Sequence, residues 1–153
     1  MDLSLSYLFR GLKAEQLKKI ESVAIEMPIK KGQEIIKEGE RAKALYVLKS
    51  GAIDLFTTVE NDFELPISIL RNPGDVFGSG VLVAPFKYTL TARCFNDGIL
   101  LKFERSAVKK VMKADRDLSC RVMSNLAEYY LHRLKESRRE IKIHFSTLLK
   151  SYR

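Results

Sequence analysis

The chain has 153 residues, 46% apolar and 30% charged, with 27 Lys and Arg against 19 Asp and Glu for a formal charge of +8. That is enough for one domain with a real core, and the composition is that of a soluble globular protein rather than a disordered or fibrous one. Its apolar runs are far shorter than the roughly 20 residues of a membrane helix, and the start Met1-Asp2-Leu3-Ser4 lacks a basic-then-apolar leader, so no membrane partner and a cytoplasmic location are expected.

The first element is a short helix, Leu8-Phe9-Arg10-Gly11-Leu12 with Leu17 and Ile20, leading into an apolar strand around Ile29 and Glu34-Ile35-Ile36. From Ile25 to Phe103, segments of about 4 to 8 residues rich in Val, Ile, Leu, Tyr and Phe alternate with turn signals. The signals are Lys31-Gly32, Glu38-Gly39, Ser50-Gly51, Glu60-Asn61-Asp62, Asn72-Pro73-Gly74 and Asn96-Asp97-Gly98. Such regular spacing predicts an antiparallel sandwich or barrel. Within it, Tyr46, Leu48 and Ser50 should face one way and Leu45, Val47 and Lys49 the other, and Ile53, Leu55 and Thr57 should alternate with Asp54 and Phe56.

After Phe103 the period becomes helical. Glu104-Arg105-Ser106-Ala107-Val108 opens a short helix with Val108, Val111 and Met112 on one face. A second helix follows from about Asp115, where Asp115 or Asp117 can cap the free amides of the first turn. No Pro or Gly occurs after Gly98, so that helix has no obvious stop.

It carries a heptad seam. With Cys120, Ala127, Leu134, Ile141 and Leu148 at a, the d positions are Met123, Tyr130, Ser137 and His144. A mostly apolar a/d stripe of this length predicts pairing with another helix, although the same stripe could cover the barrel, and both can hold at once. In a parallel pair Leu126 at g faces Leu131 at e, a favourable contact, whereas Arg133 faces Arg138 and repels it. A parallel homodimer held by Met123, Leu126, Ala127, Tyr130, Leu131 and Leu134, frayed beyond Ser137, is therefore expected.

Catalysis finds little support. His132 and His144 both lie on the back helix, and there is no glycine-rich nucleotide loop or metal-spaced cluster, so no enzyme and no metal site are expected. Cys94 and Cys120 lack CxxC spacing and read as buried apolar thiols.

Three ordered blocks carry a family resemblance. The first is the helix-to-strand run through Ile36. The second is Gly39-Glu40, five residues, then Tyr46-Val47-Leu48-Lys49-Ser50-Gly51-Ala52-Ile53-Asp54-Leu55, and the third is Leu70 with Pro73-Gly74-Asp75-Val76-Phe77-Gly78. In this order they resemble the cyclic-nucleotide-binding domain of the catabolite-activator family over roughly residues 7 to 140. The resemblance implies a mainly β fold, an eight-stranded antiparallel jelly roll with a small front helix and a long back helix. Residues 1–114 would form the roll with its N-terminal helix, and 115–153 the dimerisation helix.

It also implies a ligand pocket at Phe77, Gly78, Ser79, Gly80, Val81, Lys87, Tyr88 and Thr89. In the family pattern a turn of helix after Phe-Gly aims backbone amides at the cyclic phosphate. A glutamate directly after that glycine holds the ribose hydroxyl, an arginine on the next strand neutralises the phosphate, and a neighbouring hydroxyl completes the cradle. Here Ser79 stands where the glutamate is expected, Tyr88 where the arginine is expected and Thr89 at the hydroxyl. Lys87 is the nearest cation, but strand alternation aims it at the opposite face unless a bulge re-aims it.

Two missing anchors, at about 2 to 3 kcal/mol each, weaken a micromolar ligand to millimolar or beyond. Three states of the pocket stay open. It is filled by its own residues Val81, Leu82, Val83 and Phe86, or holds a more apolar ligand, or takes a cyclic nucleotide or other small anion in an altered mode. A haem relative would need a barrel ligand, and only Cys94 qualifies.

From Glu128 to Arg153 the helix has seven Lys or Arg against three Glu, a face able to touch phosphates. DNA-binding relatives place a helix-turn-helix after the long helix, and no such motif follows here before Arg153. The expectation is thus a non-catalytic regulatory or sensor module with weak, altered or lost cyclic AMP or GMP binding, dimeric through its back helix and open to a protein partner. The alternative is an atypical or truncated transcription regulator acting on DNA through its basic helix or a partner.

Overall fold

Two long strands organise the molecule, whose computed structural model describes all of residues 1–153. Strands β3 (Ala44–Val59) and β6 (Thr91–Glu104) run antiparallel from Ala44 opposite Glu104 to Phe56 opposite Thr91. Strands β1 (Ile25–Ile29) and β2 (Glu34–Ile36) pair with β6, while β4 (Phe63–Leu70) and β5 (Val76–Phe77) pair with β3, all antiparallel. Helix α1 (Ala14–Glu21) stands in front, and α2 (Arg105–Ala114) and α3 (Arg116–Ser151) follow the roll. The mainly β architecture with a front helix and a long back helix is as expected.

The strands number six rather than eight, because two expected turns are not turns. Ser50-Gly51 and Asn96-Asp97-Gly98 lie opposite one another inside the β3/β6 ladder, where the register shifts between Leu48 and Ile53. A Cβ on Gly98 would sit 2.1 Å from the Ser50 carbonyl oxygen, and one on Gly51, at φ +88°, 2.7 Å from the carbonyl oxygens of Asn96 and Asp97. The backbones touch there, so bulges coil the ladder instead of ending it.

At Leu45 to Leu48 the two faces do not differ in exposure, since Leu45, Tyr46, Val47 and Leu48 are all buried. Tyr46 stacks on Phe77 inside the roll (5.1 Å), and Phe103, which faces Leu45 across the ladder, meets Phe9 of the N-terminal segment (5.8 Å). Both faces of this stretch are therefore covered. Farther along, Ile53 and Leu55 are buried, and Phe56 is buried as well beneath the Arg93 guanidinium, 4.5 Å from its ring centre.

The helices pack as their periods require. Val108 of α2 is buried, with Val111 and Met112 packed against the core. Asp115 caps α3, its carboxylate accepting from the Leu118 amide at 3.1 Å, and that bond holds its pKa below the usual carboxylate value. Leu118, Val122 and Leu126 close the core from the back, each burial stabilising by about 1.5 to 3 kcal/mol. The Asn125 side-chain amide donates to the carbonyls of Leu8 (3.0 Å) and Arg10 (2.8 Å), tying the N-terminal segment to α3.

This packing corrects part of the expected seam. Leu126 is buried in its own domain and so is not free for a twin, while Met123 packs partly against the same core and stays partly exposed. The own-domain stripe Leu118, Val122, Asn125, Leu126, Tyr129 has the i, i+3, i+4 spacing of a helix lying on a core. Beyond Arg133 every residue is exposed, and the helix runs unbroken to Ser151. Cys94 is buried and its thiol pKa is raised, first by desolvation, whereas Cys120 is exposed, contrary to expectation. Cys120 lies two residues from both Leu118 and Val122, which places it on the far side of the helix. No helix is long and apolar enough to cross a membrane.

Candidate functional site

Strand β5 ends in a sharp turn at Gly78 (φ +80°), followed by one turn of 3-10 helix, Ser79–Leu82. Glycine is required at this turn by contact as well as by angle. A Cβ on Gly80 would lie 2.5 Å from the Lys87 carbonyl oxygen, and one on Gly78 3.0 Å from that of Ala44. The loop from Val83 to Leu90 returns against residues 39–42, with Ala42 N–H donating to Phe86 O (2.8 Å), Tyr88 N–H to Glu40 O (2.9 Å) and Gly39 N–H to Tyr88 O (2.8 Å). Lys87, Tyr88 and Thr89 thus lie in this loop, ahead of the strand that starts at Thr91.

Behind the turn is a cavity of about 120 Å³. Phe77, Gly78, Ser79, Gly80, Tyr88 and Thr89 line it; Val81 and Lys87 do not. Val81 is buried elsewhere in the core, and Lys87, whose backbone bridges to Arg41, is exposed. Tyrosines and aliphatic side chains line this small cavity, and Val81, Leu82, Val83 and Phe86 are not among them. Val81, Leu82 and Phe86 instead line a separate cleft against α2.

Each replaced anchor has a definite bond. Ser79 is buried, and its Oγ lies 2.5 Å from the Tyr130 Oη on α3. Tyr88 is buried with its Oη donating to the Ala44 carbonyl (2.7 Å) and accepting from the amides of Ala44 (3.1 Å) and Lys43 (3.2 Å). Where an arginine would meet a phosphate, a phenol instead holds the start of β3.

Further lining residues escaped the sequence reading: Tyr7, Tyr129 and Arg133 at the mouth, with Ile36, Leu55 and Leu70 deeper in. Tyr7 stacks on Tyr129 (4.0 Å between ring centres, 9° between planes), and Tyr130 meets Tyr129 edge-on at 5.6 Å. Desolvation is the first cause that raises the phenol pKa of both Tyr7 and Tyr129, and Arg133 partly offsets it at Tyr129. Arg133 is the one cation in the lining, and its guanidinium also reaches Glu136 at 3.1 Å. Tyr129 follows Asn125 by one helical turn on the own-domain stripe, a signal that the heptad frame obscured.

Of the expected dimer residues, Ala127, Tyr130, Leu131 and Leu134 are exposed, as are Ile141, Phe145 and Leu148 farther along. No three His, Cys, Asp or Glu side chains converge so as to hold a metal ion.

The pattern of the cyclic nucleotide-binding domain family matches residues 26–115, more than half of the chain. Among solved structures, the catabolite activator protein of Thermus thermophilus is similar at 28% identity and a TM-score of 0.77 over 90% of this chain, which spans 62% of that protein's length. A putative cyclic nucleotide-binding protein from Geobacter metallireducens is similar at 27% identity and a TM-score of 0.72, over 86% of this chain and 95% of the other. The sensor domain of the transcriptional regulator DNR from Pseudomonas aeruginosa, at 21% identity and a TM-score of 0.70 over 88% of this chain and 89% of its own, shares the fold. No curated protein matches the sequence.

Proposed function

The chain belongs to the cyclic nucleotide-binding domain family, and from that premise we propose that it is a non-catalytic regulatory module whose ordinary cyclic AMP or GMP binding is lost or strongly weakened. Tyr88 carries this reading. Its hydroxyl is committed to three backbone bonds, so the residue standing where the family pattern has its arginine supplies no cation, and Arg133 of α3 is the one cation in the lining. The remaining space of about 120 Å³ is well under the roughly 300 Å³ at which small-molecule sites begin. Ser79 is engaged with Tyr130 and cannot reach a ribose as a carboxylate would.

The module works as a parallel homodimer. Ala127, Tyr130, Leu134, Ile141 and Leu148 form an exposed apolar stripe on a helix whose last turns touch nothing of their own domain. A helix of that kind is stabilised by pairing, not by propensity. Tyr130 belongs to both surfaces, so the Ser79–Tyr130 bond links the state of the cavity to the packing of the paired helices. Native mass spectrometry of freshly purified protein tests both parts: the expected species is a dimer with no nucleotide mass, and a monomer or a nucleotide adduct overturns the corresponding half.

A further inference from the structure

On the other side of Tyr88 lies an open groove of about 1030 Å³ in which positive charge is concentrated. Arg41 and Lys43 flank buried Ala42 in the segment entering β3, where exposure alternates with burial, so both project outward. Lys102 stands opposite Tyr46 in the β3/β6 ladder, and Arg105 and Lys109 share one face of α2 at i, i+4 spacing. These five cations share the groove with two carboxylates, Glu40 and Glu104. None of the five forms an ion pair. The Arg105 guanidinium lies over the Phe86 ring at 4.2 Å, which positions it without neutralising it.

We propose that this groove is a binding site for a linear phosphate chain of the triphosphate class. Five unpaired cations lining one concavity match a compact ligand with several negative charges, and three linked phosphoryl groups present them within one short chain. Other polyanions fit less well. Protein interfaces are depleted of lysine, yet three of the five cations are Lys. Single-stranded nucleic acid needs exposed rings to stack on, and here Tyr46 and Tyr88 are buried and Phe86 is covered. Duplex DNA is read by an element protruding into its groove, whereas this surface is concave. The site is independent of what the inner cavity binds.

The test is isothermal titration of sodium tripolyphosphate, ATP and AMP into the whole chain at low salt without added magnesium. Tripolyphosphate and ATP should bind with similar affinity, AMP about tenfold or more weakly, and all should weaken as salt rises. Lys43→Gln with Lys109→Gln, both exposed positions, should lower tripolyphosphate affinity about tenfold or more, while Lys142→Gln on the distal helix leaves it unchanged. Unchanged thermal melting of both variants separates binding from folding. The proposal is overturned if tripolyphosphate gives no heat at millimolar concentration, if AMP binds equally well, or if the double variant binds like the parent. It is equally overturned if an acidic peptide or duplex DNA binds more tightly than tripolyphosphate.

Discussion

Replacing Tyr88 by Phe removes one oxygen and leaves the ring that fills the cavity wall. The hydroxyl donates to Ala44 O at 2.7 Å and accepts from Ala44 N at 3.1 Å and Lys43 N at 3.2 Å, with the tyrosine 7% exposed. No water can easily replace it there. A buried polar group left without its partner costs about 1 to 3 kcal/mol, and the three lost bonds share overlapping groups, so the expected loss of unfolding free energy is about 2 to 4 kcal/mol. For a chain of this size each kcal/mol lowers the melting temperature by about 2 to 4 °C, giving a drop of about 4 to 16 °C. Urea unfolding and calorimetric melting of the two proteins measure it. A loss under about 0.5 kcal/mol, within the range of neutral surface changes, would refute the claim that Tyr88 serves the backbone in place of a ligand.

Further outcomes follow from the same geometry. Leu134→Glu with Ile141→Glu alters two exposed positions and should turn a sedimenting dimer into a monomer with the fold retained; a dimer that persists would remove the stripe as its interface. Asn125→Ala deprives the carbonyls of Leu8 and Arg10 of their donor, so stability should fall by about 2 kcal/mol and proteolysis before Gly11 should accelerate. Tyr46 has its phenol pushed from 10.0 up to about 12, chiefly by desolvation. A raised folded value means that its contribution is complete below pH 10 and lost as pH rises toward 12. Tyrosinate absorbance should therefore show a fraction of the tyrosines titrating only at the upper end of that window, together with loss of stability.

The fold was legible because its signals are local and redundant. Turn residues, strand composition and the switch to helical period after Phe103 each point to the same architecture, and the cap at Asp115 is an ordinary consequence of a free first turn. What escaped was decided by tertiary approach. Ser50-Gly51 and Asn96-Asp97-Gly98 look like two turns, and only their meeting across one ladder, with Gly98 against the Ser50 carbonyl, turns them into bulges. At the site, Ser79 and Tyr88 could be read as replacements, but their partners could not. Tyr130 and the backbone of Lys43 and Ala44 lie 51 and 44 residues or so away in sequence, and no spacing rule links them. On the back helix two stripes interleave, and a heptad frame laid over both assigned Leu126 to a twin when its own core holds it.

The proposed function requires that the inner chamber does not accept the family's ligand. Titration calorimetry of cyclic AMP and cyclic GMP into the purified protein addresses it most directly: no saturable heat at micromolar concentrations is expected for either nucleotide. Stoichiometric micromolar binding of either nucleotide would contradict it.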